Sequence, residues 1–242
     1  MKTLYLDIFS GISGDMFIGA LIDLGVDAHK LERELGKLKL NGYHLHVARQ
    51  HKSAIEGVKF DVHLAHPHRH EHEPGHAHEH PHHHGEQDHG HDHSHSQKHH
   101  EHDEHGHDEQ RSFTEIKHLI SQSKLSPWVK KKAVAVFQRI AEAEGKIHGL
   151  PPAQVHFHEV GAVDSIVDIV GAAIGLEMLG KPRVVASPVV EGTGWVKCTH
   201  GRFPVPTPAT LAILGTRGIG VTQCEEPNEL VTPTGAALLA EL

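Results

Sequence analysis

The alternation of hydrophobic and polar positions predicts strands and helices along the first quarter of the chain. An apolar run at 3–8 predicts a short buried strand. After a turn rich in Gly and Ser, helical spacing predicts a helix over 15–25 and a second over 27–41. Alternating positions between 43 and 64 predict two strands that pair antiparallel. Their polar faces carry three histidines that we interpret as solvated, namely His44, His46 and His63.

The same periodicities return beyond residue 110. The sequence S-F-T-E from Ser112 spells a capping box, and Ser126-Pro127 marks the start of a longer helix that ends near Gly149. Further helices are predicted at 163–179, 208–214 and 233–241, strands at 184–190 and 218–223, and a glycine-rich loop or hairpin at 192–201. We expect an α/β to α+β fold with a mixed sheet and about six helices.

A histidine-rich tract separates these two regions. Of the 29 histidines, 19 lie between His66 and His107, and residues 66–110 carry a local charge of −9. The tract has almost no aliphatic side chains to bury, so we expect a disordered insertion, with 1–65 and 111–242 forming one domain. Its dense imidazoles, His82, His83 and His84 among them, favour binding of Ni²⁺, Zn²⁺, Cu²⁺ or Co²⁺.

Charge and cysteine content restrict the class of protein. Outside the tract, 21 basic and 20 acidic residues nearly cancel, which gives no indication of a nucleic-acid or anionic-membrane partner. Cys198 and Cys224 form neither a disulfide framework nor a CxxC pair, as is typical of a reducing cytoplasm. The start of the chain shows no signal peptide, so we expect a cytoplasmic protein.

The segment 155–171 is a candidate metal site. It carries imidazole and carboxylate side chains, which suit borderline or hard divalent cations. Asp164 and Asp168 share one face of the predicted helix, and an extended start to the segment would place two of the histidines on the same side. The alternative is a strand edge with solvated histidines and an acidic helix start. The candidate ligands are His156, His158, Glu159, Asp164 and Asp168.

The turn that follows the first predicted strand is a candidate anion site. Backbone N–H groups at a helix N-terminus can hold a phosphate or a carboxylate, and Asp7 and Asp15 beside it suit a bridging Mg²⁺ or another cation. Alternatively, Ser13 or Asp15 simply caps the helix. The candidate binding residues are Ser10, Gly11, Ser13 and Gly14.

Two further helix starts carry threonine before proline. Thr207 and Thr232 each precede a proline, which predicts an N-cap followed by a proline at the first helical position. With Thr234, they are candidates for binding a substrate rich in negative groups. His200, in the glycine-rich segment, is a further candidate ligand or acid/base.

Three segments together closely resemble the LarC family of nickel insertion proteins. They are D-I-F-S-G-I-S-G-D-M from Asp7, H-F-H-E-V-G-A-V-D-S-I-V-D-I-V-G from His156, and the pair P-V-P-T-P-A-T with E-L-V-T-P-T-G-A-A-L. An internal histidine-rich insertion is also typical of that family. The resemblance covers nearly all of the chain outside the tract.

The resemblance implies a reaction, cofactors and partners. Nickel would be placed into pyridinium-3,5-bisthiocarboxylic acid mononucleotide by a cyclometallase-type chelatase, a lyase that forms two Ni–S bonds and one Ni–C bond. CTP hydrolysis with Mg²⁺ or Mn²⁺ would be required, and the CTP site would lie in a C-terminal region or subunit that follows the P-T-G-A-A-L segment. The expected partners are the pincer nucleotide precursor, this CTP-binding part and, downstream, the lactate racemase apoprotein; we also expect an oligomer.

Residues and resemblance combine in one hypothesis. The tract gathers nickel, a histidine and glutamate set holds it, and Asp164 and Asp168 orient ligands or bind a second cation. Because a ring proton must leave, a general base is needed, and a histidine or carboxylate near the metal could serve. The residues assigned to catalysis are Asp7, Asp15, His158, Glu159 and His200.

Two other functions are compatible with the sequence. The chain could be a non-enzymatic nickel chaperone or store that acts through the tract alone, in which case deletion of residues 66–110 would abolish activity. It could also be a nucleotide-dependent hydrolase built on the Ser/Gly turn, which would turn over without nickel.

Overall fold

A computed structural model of the chain describes residues 2–52, 54–64, 111–157, 162–198 and 201–242. The described residues on the two sides of segment 65–110 belong to one compact unit. The expected disordered insertion, with His82, His83 and His84, lies outside the described residues.

Helices and short strands alternate along the described residues. The helices are α1 (Gly14–Asp23), α2 (Ala28–Leu35), α3 (Phe113–Gln122), α4 (Pro127–His148), α5 (Val163–Met178), α6 (Pro208–Gly215) and α7 (Pro233–Glu241). The strands are β1 (Thr3–Leu6), β2 (Tyr43–Lys52), β3 (Ile55–Leu64), β4 (Arg183–Ala186), β5 (Val189–Glu191), β6 (Trp195–Cys198), β7 (Gly201–Pro204) and β8 (Val221–Gln223).

The strands pair in both directions. β1 pairs parallel with β4, and β5 pairs parallel with β8, whereas β2–β3 and β6–β7 are antiparallel pairs. The N–H of Val190 also donates to the carbonyl of Ile8 at 3.1 Å, so β5 continues the line of contacts that β4 makes with β1. The predicted fold class, helices combined with parallel and antiparallel strands, is confirmed.

The strand predicted at 184–190 is divided into β4 and β5. Pro188 lies at the break, and proline has no N–H to donate to a neighbouring strand. The hydroxyl of Ser187 instead accepts a hydrogen bond from the Ile8 N–H at 2.8 Å. The chain therefore stays hydrogen-bonded to the segment after β1 across the break.

Local signals set the ends of the helices. Ser112 and Glu115 form the predicted capping box at the start of α3, and the Ser126 hydroxyl accepts from the Val129 N–H at the start of α4. Gly149 ends α4 in the left-handed conformation, with φ of 68°. The second helix is shorter than predicted, because a single 3₁₀ turn at Gly36–Leu38 replaces its last turn.

Helix α5 forms the centre of the core. Ten of its eleven residues from Ile166 to Leu176 are buried, the exception being Asp168, as is typical of a helix enclosed by others. A Cβ on Gly171 would lie 2.8 Å from Ile18 Cδ1, and one on Gly175 would lie 2.7 Å from Leu21 Cδ1. Glycine at these positions therefore lets α1 pack closely against α5, which aligns the first turns of the two helices.

Within the described residues, no helix combines the length and apolar character that a membrane span requires.

Candidate functional site

The turn before α1 is joined to the start of that helix by Ser13. The Ser13 hydroxyl accepts a hydrogen bond from the Met16 N–H at 3.4 Å, and it donates to the carboxylate of Asp15. Ser13 is therefore the N-cap of α1, the capping role considered for it from the sequence. The same contact orients Asp15 in the first turn of the helix.

Three carboxylates meet where α1 crosses α5, namely Asp15, Asp164 and Asp168; we call them the acidic cluster. Asp164 and Asp168 are one turn apart on α5, as predicted, and the Asp15 N–H donates to the Asp168 carboxylate. A Cβ on Gly14 would lie 2.6 Å from both Cβ and Oδ2 of Asp168. Only glycine at position 14 therefore allows the two helices to bring these side chains together.

The acidic cluster changes the ionisation of Asp168. The pKa of Asp168 is raised from 3.8 to about 8, mainly by burial and further by the charges of Asp15 and then Asp164. The hydrogen bond from the Asp15 N–H acts in the opposite direction and lowers it. Near neutral pH Asp168 therefore holds a proton, because burial and the neighbouring charges of Asp15 and Asp164 all oppose its ionisation. A bound cation would relieve the repulsion between these charges.

One oxygen of Asp168 also has no hydrogen-bond partner among the residues that the structure describes. Among the described residues, none forms a hydrogen bond to Asp168 Oδ1, although this atom is buried. A buried polar oxygen without a partner is unfavourable by about 1–3 kcal/mol, so native proteins rarely contain one. Carboxylate oxygens are the ligands preferred by Mg²⁺ and Mn²⁺, and they also bind nickel. The donor set of the acidic cluster therefore fits a divalent cation.

The start of α7 lies directly beside the turn before α1. The Ile12 N–H donates to the Leu230 carbonyl at 2.9 Å, and the Thr232 N–H donates to the Ile12 carbonyl at 3.1 Å. Gly11, at φ 76°, lies so close to Leu230 that a Cβ would be 2.0 Å from its carbonyl oxygen. Two of the predicted binding segments are thus neighbours.

Thr207 and Thr232 are the N-cap residues of α6 and α7, each followed by a proline, as predicted, but only the Thr232 side chain accepts a hydrogen bond from its helix. The Thr232 hydroxyl accepts from the Gly235 N–H at 3.1 Å. Thr207 precedes α6, but its hydroxyl donates to Thr210 Oγ1 at 3.0 Å and accepts no helix N–H. The Thr210 hydroxyl that accepts this hydrogen bond donates in turn to the Val231 carbonyl at 3.3 Å. Thr234 is buried in the first turn of α7.

A pocket lies between the starts of α6 and α7. Both Thr207 and Pro233 line it. The end of α4 contributes Glu144 and His148, whose side chains are 3.2 Å apart, and the end of β6 contributes the free thiol of Cys198. The pocket combines apolar walls with a few polar groups, as small-molecule sites do.

Sequence reasoning missed Glu191, at the end of β5. Its side chain is fully buried, and Oε1 accepts from the N–H groups of Gly192, Leu230 and Val231 at 2.8, 2.7 and 3.2 Å. Within the described part of the chain, Oε2 is buried without a hydrogen-bond partner. Glu191 thus holds the segment that packs on the turn before α1. A charged residue directly after two valines in a strand was the available signal.

The remaining candidates lie in different places. Asp7 and Ser10 are exposed in the segment between β1 and α1, and the charges that raise the pKa of Asp168 do not include that of Asp7. His156 is exposed between the buried Val155 and Phe157, in the predicted extended segment. It forms an antiparallel bridge with Ser112. Two hydrogen bonds from Ser112 are the main cause of the lowered pKa of Glu115, and the charge of His156 lowers it further. His158, Glu159 and His200 lie outside the described residues.

Comparison with known proteins gives one consistent family. A family model described as nickel insertion protein matches residues 4–242. The pyridinium-3,5-bisthiocarboxylic acid mononucleotide nickel insertion protein of Lactiplantibacillus plantarum is 45% identical over 243 residues, which cover 100% of this chain and 53% of that protein. The protein of the same name from Geobacillus kaustophilus is 45% identical over 239 residues, 99% of this chain and 50% of its own length.

A third relative with this name, from Desulfitobacterium hafniense, is 41% identical over 239 residues, 99% of this chain and 49% of its own length. The chain therefore spans about half the length of the curated relatives it matches. No solved structure matches the chain significantly.

Proposed function

Because the chain belongs to the nickel insertion protein family, we propose that it inserts nickel into pyridinium-3,5-bisthiocarboxylic acid mononucleotide. Two Ni–S bonds and one Ni–C bond form, and the ring proton leaves, which makes the reaction a cyclometallation. The product is the nickel-pincer cofactor of lactate racemase. A CTP-binding part takes part with Mg²⁺ or Mn²⁺.

The observation that carries this proposal is the acidic cluster, in which Oδ1 of Asp168 is buried without a hydrogen-bond partner in the described part of the chain. Asp15, Asp164 and Asp168 concentrate negative charge at one point, and a divalent cation both neutralises it and gives Oδ1 a partner. Either the substrate nickel or the cation of the nucleotide reaction occupies this position.

The pocket between α6 and α7 supports the binding of a substrate with anionic groups. Both Thr207 and Pro233, at the starts of the two helices, line it. The N–H groups at the starts of α6 and α7 favour the phosphate and thiocarboxylate groups of the precursor. Thr232 and the segment 9–13 connect this pocket to α1, because the Thr232 N–H is bonded to Ile12.

The insertion reaction provides the test. The wild-type chain and its Asp168→Asn variant are incubated with nickel and the precursor, with and without CTP, Mg²⁺ and a separately produced C-terminal region of a relative. Mass spectrometry then detects the nickel-containing product. We expect product from the wild type and little or none from the variant.

A matched control is Asp23→Asn, which makes the same chemical change at the other end of α1. Asp23 is exposed and paired with Arg49 at 3.1 Å, so its variant should insert nickel at the wild-type rate. Full insertion activity in Asp168→Asn would contradict the assignment of the cluster to the reaction.

The density of histidines in residues 66–110 favours a second candidate, a nickel store or chaperone that acts through this segment alone. This function predicts that deletion of residues 66–110 removes all activity. The insertion function predicts that activity survives the deletion when nickel is plentiful, and that it depends on Asp168.

A further inference from the structure

The β2–β3 hairpin carries a group of metal-binding side chains on one face. In the antiparallel register, His44 lies opposite His63, and His46 lies opposite Asp61. Because side chains alternate between the two faces of a strand, all four project from the same face. From the sequence alone the histidines were interpreted as solvated, and the pairing register adds a carboxylate between them.

The distances within this group suit a single ion. One potential ligand atom from each of His46, Asp61 and His63 lies within 4.8 Å of the other two, and this is the only such group of three among the described residues. Two ligands on opposite sides of an ion with bonds of about 2.1 Å are about 4.2 Å apart. Only small side-chain movements are therefore needed to bring the three atoms onto one ion.

The hairpin holds these side chains on a fixed support. Its opposite face packs against the core through Phe60, which is 1% exposed, with Leu45 and Val62 beside it. The carbonyl of Val58 approaches α1 so closely that a Cβ on Gly19 would lie 2.5 Å from its oxygen. Ten residue pairs in register further restrict the backbone. A ligand set on such a support needs little ordering when an ion binds.

We propose that His46, Asp61 and His63 form a binding site for a borderline divalent transition-metal ion, Ni²⁺ or Zn²⁺. Two imidazoles with one carboxylate suit these ions, whereas Mg²⁺ and Ca²⁺ prefer oxygen ligands alone. The ring of His44 lies 5.1 Å from that of His63 and shields one side of the site. Lys59, now 3.0 Å from the Asp61 carboxylate, moves away when the ion binds.

The position of the site indicates its use. β3 ends at Leu64, and the histidine-rich segment begins at His66, three residues after His63. Metal collected by that segment therefore reaches a defined site at the point where the chain enters the folded unit. This site goes beyond the proposed function and is separate from the acidic cluster, and its test requires no insertion activity.

Exchange of the imidazole C2 hydrogen for deuterium tests the site in the full chain, because coordination slows this exchange and mass spectrometry measures it for each histidine-containing peptide. The probes are Ni²⁺ and Zn²⁺, each added in excess over the histidines of residues 66–107. We expect severalfold slower exchange at both His46 and His63. His51, exposed on the other face of the same hairpin, is the internal control and should not change.

Two variants distinguish coordination from a general effect of the metal. Asp61→Asn and His46→Gln change exposed or half-exposed side chains, so both should fold, as circular dichroism can verify. Each should remove the protection of His63, because two remaining ligands bind an ion far more weakly than three. Unchanged exchange at His46 and His63 with both ions, or full protection of His63 in Asp61→Asn, would overturn the proposal.

Discussion

Replacement of Asp168 by Asn should stabilise the metal-free protein, which is unusual for a partly buried polar residue. Asn has the shape of the protonated carboxyl group and cannot acquire its charge. Burial and the charges of Asp15 and Asp164 raise the pKa of Asp168 from 3.8 to about 8 in the folded chain. Ionisation of this group therefore opposes folding, and the variant removes that opposition.

The magnitude follows from the difference in pKa. The folded state holds the Asp168 proton more strongly than the unfolded state does. The stability that this proton contributes is fully present below pH 3.8, declines as pH rises, and is lost above about 8. At pH 7 the loss amounts to at most about 4 kcal/mol, from about 1.4 kcal/mol per unit of pKa difference. Because water and nearby side chains rearrange around the charge, we expect about 2 kcal/mol to be measured.

Urea unfolding at several pH values, followed by circular dichroism in the presence of a chelator, measures this effect. Between pH about 5 and about 8, the free energy of unfolding of the wild type should fall relative to that of Asp168→Asn. Histidines in residues 66–110 titrate in both proteins, so their contribution cancels in the difference. Asp23→Asn should retain the wild-type pH dependence, since Asp23 is exposed.

Addition of Mg²⁺ or Mn²⁺ should restore the stability of the wild type near pH about 8 and leave Asp168→Asn unchanged, because binding to the folded state alone stabilises it. If the wild type and Asp168→Asn show the same dependence on pH, Asp168 ionises at an ordinary pKa. Burial and the charges of Asp15 and Asp164 would then not raise the pKa of Asp168 as stated.

Three further predictions concern the same region. Gly14→Ala should destabilise the protein by about 1–3 kcal/mol in urea unfolding, since the new Cβ overlaps Asp168, whereas Gly36→Ala, with open space around it, should not. Glu191→Ala should lose about 2–4 kcal/mol because it leaves three backbone N–H groups without their acceptor, and Glu191→Gln, which keeps Oε1, should lose less; equal losses would contradict this role. Calorimetry of Mn²⁺ binding should show affinity that weakens by up to about tenfold per pH unit below 8, since the cation displaces the proton of Asp168; affinity independent of pH would argue against this.

The local elements were predictable because their signals lie within a few residues. Ser112 with Glu115 forms a capping box, Ser126 precedes a proline, and Gly149 ends α4 in the left-handed conformation that glycine favours. The break at Ser187-Pro188 was missed, although proline was the visible cause. Thr207 was correctly predicted to precede α6, but no local pattern reveals that its hydroxyl donates to Thr210.

The acidic cluster was predictable only in parts. The spacing of Asp164 and Asp168 placed them on one helix face, and Asp15 was assigned to a helix start. Their meeting depends on the close packing of α1 on α5, which requires Gly14 beside Asp168 across more than 150 residues of sequence. No local pattern contains that information. The role of Glu191 was missed for the same reason, since its partners Leu230 and Val231 lie about 40 residues away.

Prediction of the proposed metal site on the β2–β3 hairpin requires the register of the two strands. Alternation identified His44, His46 and His63 as members of a polar face, and this part was correct. Whether Asp61 lies opposite His46 depends on the length of the turn between β2 and β3, and a shift of one residue would place it on the other face.

A divalent cation at the acidic cluster can be located directly by anomalous scattering from crystals of the chain grown with Mn²⁺ near pH about 8, where Asp168 loses its proton. We expect a manganese peak within coordination distance of Asp168 Oδ1, with Asp15 or Asp164 among its ligands. Manganese bound elsewhere, with none at Asp168, would contradict this expectation.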